Sequence, residues 1–420
     1  MTSFEVDVPE RDPPAPPDSC AATLPDVHGL ASFGREGWLG LGQRLRAVGI
    51  DSEAVQPLTA QIAKGQAAIV KWELRRRRDA AAHALRMFVM ADPVTADEAR
   101  EVLGPERPVD RMLDVGLLRE AEEGGLVCAF STDLVRIGGY DRFILSDELT
   151  QGGDAVMGPS EATLVLSGFA RPRAPTAKAL DLGCGAGTLA LAVSPYCDRV
   201  VATDVNPRAI ALTQINAWMN GIVNLDLRSG DLFAPVPDES FDLIVSQPPY
   251  VPRPRELRPA AYLFGGPRGD EMPLRLLRQV AGHLAPGGFS IVVAAWPVVD
   301  GDMPLLRKLR EAAGPARNLS MLLLFDEATD VAEYCTMYGA IHHRYRGAAV
   351  ERDVIRYREH CEHLRIRKIV LGYAVLRRGA DDQPGWVSAM PFGPTAQMPA
   401  TRESIDRLFA EGDIASRRGA

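Results

Sequence analysis

The sequence predicts an α/β protein: a Rossmann-like domain with a mostly parallel sheet, preceded by a mainly helical, winged-helix-like domain. Three observations lead there. From Lys178 onward short apolar runs alternate with helical stretches, the rhythm of parallel strands joined by right-handed crossovers. A cluster of glycines, Gly183, Gly185 and Gly187, stands where the first of these runs gives way to a helix. Before about residue 150 the pattern is instead helix after helix, closing in two short strand-like runs.

The bulk properties bound the reading. A chain of 420 residues fits two or three domains. With 46% hydrophobic and 24% charged residues it has the balance of a globular protein with a core of useful size. No apolar run approaches the roughly 18–20 residues needed to cross a bilayer. The acidic, Pro-rich start lacks the basic and apolar regions of a signal peptide, so a cytoplasmic location is expected. A net charge of −8 argues against broad nucleic-acid binding, which draws on phosphate neutralisation. The six cysteines are scattered without metal-type spacing, which predicts free thiols and no bound metal.

Along the chain, residues 1–27 carry six prolines and few apolar residues and read as a flexible leader. Residues 28–150 form the accessory domain. Leu39, Leu41, Leu45 and Val48 recur at helical spacing, and a longer helix is expected over 67–90. Within it the four arginines at 75–78 read as a solvated face rather than a phosphate patch. Thr95 can N-cap the next helix with Glu98 completing a capping box, and Gly104 stops it. A second short helix over 109–120 and strands at 126–131 and 142–146 complete the winged-helix-like order. Its balanced charge favours packing on the following domain over nucleic-acid recognition. The catalytic domain spans 151–380, with strands at 178–183, 199–205, 225–228, 241–246, 289–296, 319–325 and 366–376. A helical insertion at about 330–364 carries His342, His343, Arg344, Arg346, Arg352, Arg356 and Arg358, to which no role is assigned. The extension 381–420 is turn-rich, with one helix over 402–410.

The candidate site follows from the strand ends. Glycines at 183, 185 and 187 let the backbone turn tightly and approach a ligand. Asp181, just before them, can organise the loop and face an ammonium group. Asp204 ends the second strand about twenty residues on, where an acid accepts from ribose hydroxyls. Asp231 follows the third strand and can accept from an adenine amine. Cys184, Val205 and Leu232 lie beside these residues in the same nucleoside site. Three acids at three successive strand ends all fall on the carboxyl edge of the sheet, where open α/β folds bind ligands. Spacing alone leaves a nicotinamide cofactor open. The fourth strand runs into Gln247, Pro248, Pro249 and Tyr250. Two prolines stiffen this loop and remove two N–H donors, leaving carbonyls, one amide and one aromatic ring to hold an NH2 group.

The stretch 181–187 resembles motif I of class I S-adenosylmethionine (SAM)-dependent methyltransferases, and Asp204 matches their ribose-binding acid. Residues 247–250 resemble the Asn-Pro-Pro-Tyr motif of amino-methyltransferases, with the HemK-type glutamine methyltransferases the nearest likeness. The phrases at 230–237, 241–246 and 263–269 are also close to theirs. The resemblance implies a seven-stranded methyltransferase domain. It also implies SAM as cofactor, S-adenosylhomocysteine (SAH) as product, and N-methylation of a peptide, protein or amino-bearing small molecule. One departure matters: Gln247 stands where the motif has Asn, one methylene longer, so the held nitrogen shifts. Two rival readings are an NAD-type oxidoreductase and a winged-helix nucleic-acid-binding regulator with a nucleotide-sensing domain.

Overall fold

The computed structural model describes residues 24–419 except 149–152, 256, 258–259, 315, 342–346, 381–382 and 393–399. Most of the expected leader, and His342, His343, Arg344 and Arg346, lie outside the described residues.

The N-terminal part packs α1 (Val27–Ala31), α2 (Gly34–Ala47), α3 (Ser52–Ala63), α4 (Ala67–Arg76), α5 (Ala80–Ala84), α6 (Ala96–Leu103) and α7 (Val109–Asp114). These accompany two antiparallel ribbons, β1 (Leu118–Glu120) with β2 (Leu126–Cys128), and β3 (Ser131–Ile137) with β4 (Tyr140–Ser146). The capping box of α6 forms as its sequence requires: Glu98 N donates to Thr95 Oγ1 at 3.2 Å and Thr95 N to Glu98 Oε2 at 2.8 Å. Gly104 ends that helix at φ +77°.

Two expectations are corrected here. The single helix over 67–90 is broken, because Asp79 takes an extended conformation and caps α5 by accepting from Ala82 N at 3.0 Å. The helix expected over 109–120 stops at Asp114, and its last residues become β1. Of the arginines, Arg75 forms a forked pair with Asp92, Arg77 pairs with Asp79, and Arg76 lies over the Trp72 ring.

From residue 161 onward, α8 (Glu161–Ala170) leads into a nine-stranded sheet. Its strands and connecting helices are β5 (Thr176–Leu182), α9 (Thr188–Val193), β6 (Cys197–Asp204), α10 (Pro207–Met219), β7 (Leu225–Ser229), β8 (Phe241–Ser246), the short parallel pair β9 (Val251–Pro252) and β10 (Phe264–Gly266), and α11 (Glu271–His283). They continue as β11 (Leu284–Val299), α12 (Leu305–Ala312), β12 (Leu319–Phe325), β13 (Thr329–Asp330), α13 (Val331–Ala340), α14 (Ala348–His363), β14 (Ile366–Arg378), β15 (Val387–Pro391) and α15 (Arg402–Gly419). The order is β15-β12-β14-β11-β8-β5-β6-β7, with β13 pairing β14. Strands β7, β6, β5, β8 and β11 are mutually parallel, and β14 runs antiparallel between β11 and β12.

All seven expected strands are present, within a few residues at most ends. The extension beyond 380 is corrected: it adds an eighth long-range strand, β15, parallel to β12, before its helix. The helical insertion lies where expected, between β12 and β14, as α13 and α14.

The central strands are apolar on both faces because helices cover both sides. One core gathers α8, α9 and α15 against Val245, Ile291 and Tyr373; the opposite core gathers α11 and α12 against Ile244, Val292 and Trp296. A third joins the N-terminal helices to α10 through Trp38, Leu41, Leu212, Ile215 and Met219. Asn216 and Asn220 on α10 complete that join. Their side chains take up the backbone of β4, with Leu145 N donating to Asn216 Oδ1 at 2.8 Å and Phe143 N to Asn220 Oδ1 at 3.0 Å. Each amide donates back to the same residue's carbonyl.

Candidate active site

The first three strands deliver their carboxyl ends to one edge of the sheet, and the loops there enclose a cavity of about 510 Å³. It is lined by Asp181, Gly183, Cys184, Gly185, Asp204, Val205, Asp231, Leu232, Gln247, Pro248, Pro249 and Tyr250. Of the residues singled out from sequence, Gly187 alone does not line it. Gly187 sits behind, left-handed at φ +83°, as the N-cap residue of α9.

The glycine loop is folded by its neighbours. Gly183 N and Cys184 N both donate to Thr203 O, at 2.8 and 2.9 Å, which ties β5's end to β6. Thr213 Oγ1 and Asn216 Nδ2, both on α10, donate to the carbonyls of Gly185 and Ala186, each at 2.9 Å. Gly183 and Gly185 adopt φ of +76° and +55°, and a Cβ on either would meet only open space. That space is the cradle, and a bare backbone lining it lets a ligand approach closely.

Asp181 is buried, and its Oδ2 accepts from Ala190 N in the first turn of α9 at 2.8 Å. Burial first, then the nearby Asp204, pushes its carboxyl up to about 7. Asp204 is gripped from both sides: Oδ2 accepts from Gly185 N and Oδ1 from Asn206 N, each at 2.9 Å. Burial raises its pKa as well, against those hydrogen bonds. The Cys184 thiol is raised well above its ordinary range by burial and by the two carboxylates, so it is a protonated, inert wall. Val205 is 65% exposed beside Asp204, an apolar face open to the cavity. Leu232 holds φ +47°, a conformation that costs a bulky residue about 1–2 kcal/mol. Asp231 is half-exposed and forks onto Arg275 of α11, with Oδ1 at 3.2 Å from Nη1.

These features fit a nucleoside carrying an ammonium group. The cradle is open, an apolar side chain stands beside an acid placed for a ribose, and the buried Asp181 has no protein cation within bonding distance among the described residues.

Sequence reasoning missed a second set of lining residues. Gln247 reaches back to the N-terminus of α8: its Oε1 accepts from Thr163 Oγ1 at 2.6 Å, and its Nε2 donates to Ser160 Oγ at 3.1 Å. Ser160 and Thr163 are themselves the capping box of α8. Their Ser-x-x-Thr spacing was a local signal of a helix start, but nothing local connects it to Gln247. The Pro248–Pro249–Tyr250 backbone is buttressed by the loop at 263–269. Val251 N donates to Leu263 O at 2.9 Å, and a Cβ on Gly265 would lie 2.6 Å from Pro249 O. Burial raises the Tyr250 hydroxyl, against the influence of the neighbouring Tyr338 and Gln247 side chains. Tyr338 and Ile341, at the end of α13, also line the cavity, as do Tyr262 and Phe264.

Comparison with known proteins bears on the chemistry. Residues 161–298 match the methyltransferase small domain. The release factor glutamine methyltransferase of Geobacter sulfurreducens is 37% identical over 169 residues, which is 36% of this chain and 59% of that protein. That of Koribacter versatilis is 32% identical over 159 residues, 35% of this chain and 55% of that protein. Residues 161–298 thus carry a methyltransferase domain similar in sequence to these release factor glutamine methyltransferases. The chain spans somewhat more than half the length of the curated relatives it matches. Among solved structures, a ribosomal protein L11 methylase from Lactobacillus delbrueckii subsp. bulgaricus is 21% identical, covering 53% of this chain and 81% of that one, with a TM-score of 0.31. Glycine spacing left methyl and hydride transfer open; the match is to a methyltransferase domain. The matched residues run from α8 to β11 and include the cradle, Asp204 and the Gln-Pro-Pro-Tyr loop; the insertion helices lie beyond them.

Proposed function

We propose that the protein transfers the methyl group of SAM to an uncharged amide or amino nitrogen held by the Gln-Pro-Pro-Tyr loop. The observation that carries this reading is the clamped amide of Gln247 at the mouth of the glycine cradle. Bound SAM supplies an electrophilic methyl on a sulfonium, so the protein has only to align, desolvate and orient. Asp204 would take the ribose hydroxyls, Asp181 the ammonium, and Val205 one face of the base.

On the acceptor side, Gln247 Oε1 spends one lone pair on Thr163 and keeps another for an N–H of the acceptor. Because Pro248 and Pro249 donate no N–H, their neighbouring carbonyls remain available for a second N–H. Two N–H groups so held turn the nitrogen lone pair toward the methyl. As the S–CH3 bond breaks and the N–CH3 bond forms, the positive charge passes from sulfur to nitrogen, which then loses a proton to water, so no strong base is required.

The test is calorimetric titration of SAM and SAH into the wild-type chain and Asp204→Ala, with NAD as control. Binding of both sulfur nucleosides but not NAD, weakened in the variant, supports the reading. Absence of SAH binding would refute it. The relatives' names make a glutamine-bearing release factor the first protein acceptor to try with labelled SAM.

A further inference from the structure

We propose that the acceptor is a small, neutral aromatic compound bearing its amide or amine nitrogen on the ring, held in a slot roofed by Tyr338. The proposal rests on the methyl-transfer reading above and names its substrate class.

The cavity has two chemically different ends. Its three acids, Asp181, Asp204 and Asp231, stand at the ends of β5, β6 and β7. The end beyond β8 is lined by Tyr250, Tyr262, Phe264, Tyr338 and Ile341, and among the described lining residues there is no Lys, Arg, His, Asp or Glu there. Among the described lining residues a charged acceptor buried in that end would meet no counter-ion, a cost of several kcal/mol. A neutral one incurs no such penalty.

The walls of that end are aromatic: Tyr250, Tyr262, Phe264 and Tyr338 all line it. The Tyr334 and Tyr338 rings lie 4.4 Å apart between centroids. Aromatic walls of this kind hold planar molecules by offset or edge contact. The slot is also rigid. Val251 and Leu263 share one core with Tyr334 and Cys335 of α13 and with Tyr357 and Cys361 of α14, and Tyr250, Phe264 and Tyr338 pack against it.

The roof does not come with the matched domain. The match ends at residue 298, whereas α13 begins at Val331. The part of the chain that closes over the acceptor end therefore lies outside the matched methyltransferase small domain. Opposite the roof, the Gln247 amide is fixed at both heteroatoms by α8, so it offers one acceptor lone pair and one N–H side by side. That edge is complementary to a primary carboxamide or to an amino group beside a ring nitrogen.

The experiment uses the full chain saturated with SAH and two probes, benzamide and N-acetylglutamine amide, followed by saturation-transfer NMR and calorimetry. Benzamide is expected to bind and the glutamine probe to bind at least about tenfold more weakly, since an aromatic contact is worth on the order of one factor of ten. Tyr338→Leu should weaken benzamide about tenfold and Tyr338→Phe should leave it within about threefold. Should the leucine variant fold poorly, Ile341→Trp fills the slot without removing a core ring and should abolish benzamide binding. SAH binding is expected to be unchanged in each variant. SAH binding with no benzamide binding, or with the glutamine probe preferred, overturns this proposal alone. A wild-type chain that does not bind SAH brings down the methyl-transfer reading and this one with it.

Discussion

Replacing Gln247 by Asn, the residue of the amino-methyltransferase motif, should damage this protein. The side chain loses one carbon–carbon bond, about 1.5 Å of reach. The Thr163 Oγ1 to Gln247 Oε1 contact of 2.6 Å then opens beyond the roughly 3.0 Å limit of an O–H···O hydrogen bond. The longer bond from Nε2 to Ser160 Oγ fails with it. Two part-buried hydroxyls lose a partner, at about 1–3 kcal/mol for a group left unsatisfied. Ser160 and Thr163 still bond each other at 2.9 Å, which puts the expected loss near the lower end, about 1–2 kcal/mol. The assay is chemical denaturation of wild type, Gln247→Asn, Thr163→Val and the double variant. Residues in direct contact show coupling of about 0.5–3 kcal/mol, and about 1 kcal/mol is expected here. Strict additivity, within about 0.3–0.5 kcal/mol, would refute the clamp. Once an acceptor is in hand, the same substitution should cost about a hundredfold in rate, the usual effect of an ångström's misplacement.

Other outcomes follow from the cofactor end. Asp204→Asn keeps the bond from Gly185 N but turns an N–H toward Asn206 N; losing one charge-assisted bond, about 1.5–3 kcal/mol, should weaken SAH roughly 10- to 100-fold by calorimetry. Asp181 holds its proton up to a pH of about 7, and an ammonium-bearing ligand needs the anion. SAH affinity should therefore climb as pH rises, by up to about tenfold per unit, and level off above about 7; a flat profile would remove Asp181 from the ligand. The same raised pKa means the folded chain holds this proton longer than the unfolded one. Its contribution to stability is thus lost as pH rises from the ordinary carboxylate range to about 7, and Asp181→Asn should flatten that slope in urea titrations. Gly185→Ala adds strain of about 1–2 kcal/mol at positive φ and fills the cradle, so its main loss should be SAH affinity. Gly187→Ala adds the same strain plus a Cβ 2.8 Å from the Thr213 side chain, so its main loss should be melting temperature.

The sheet was largely legible because parallel strands buried on both faces read as uninterrupted apolar runs, as at Val200–Ala202, Ile244–Val245 and Ile291–Ala295. Strand β15 was not, since its residues are mostly exposed and carry no alternation; it is held by pairing to β12 rather than by its own pattern. The break before α5 had a signal in Asp79, a good N-cap residue, which the surrounding run of arginines and alanines obscured. The glycines and acids of the cofactor end stand on short, contiguous stretches, because each must follow directly on a strand end. Ser160, Thr163 and Tyr338 reach the same cavity from positions 87 and 84 residues before Gln247 and far beyond it, through tertiary packing that no local window contains.

The two asparagines of α10 carry a consequence for anyone who would cut the molecule. A boundary near residue 150 looks like a natural place to isolate the catalytic half, yet the seam between the halves is laced with side-chain amides and not bridged by a tether. Asn216 grips β4 with the same Nδ2 that holds the Ala186 carbonyl of the glycine loop. Excising the first half would strip that amide of part of its purchase and lay bare the apolar flank of α10, including Leu212 and Ile215. The protein is therefore best handled, crystallised and engineered uncut, and amide exchange in β4 is a natural place to listen for events in the glycine loop.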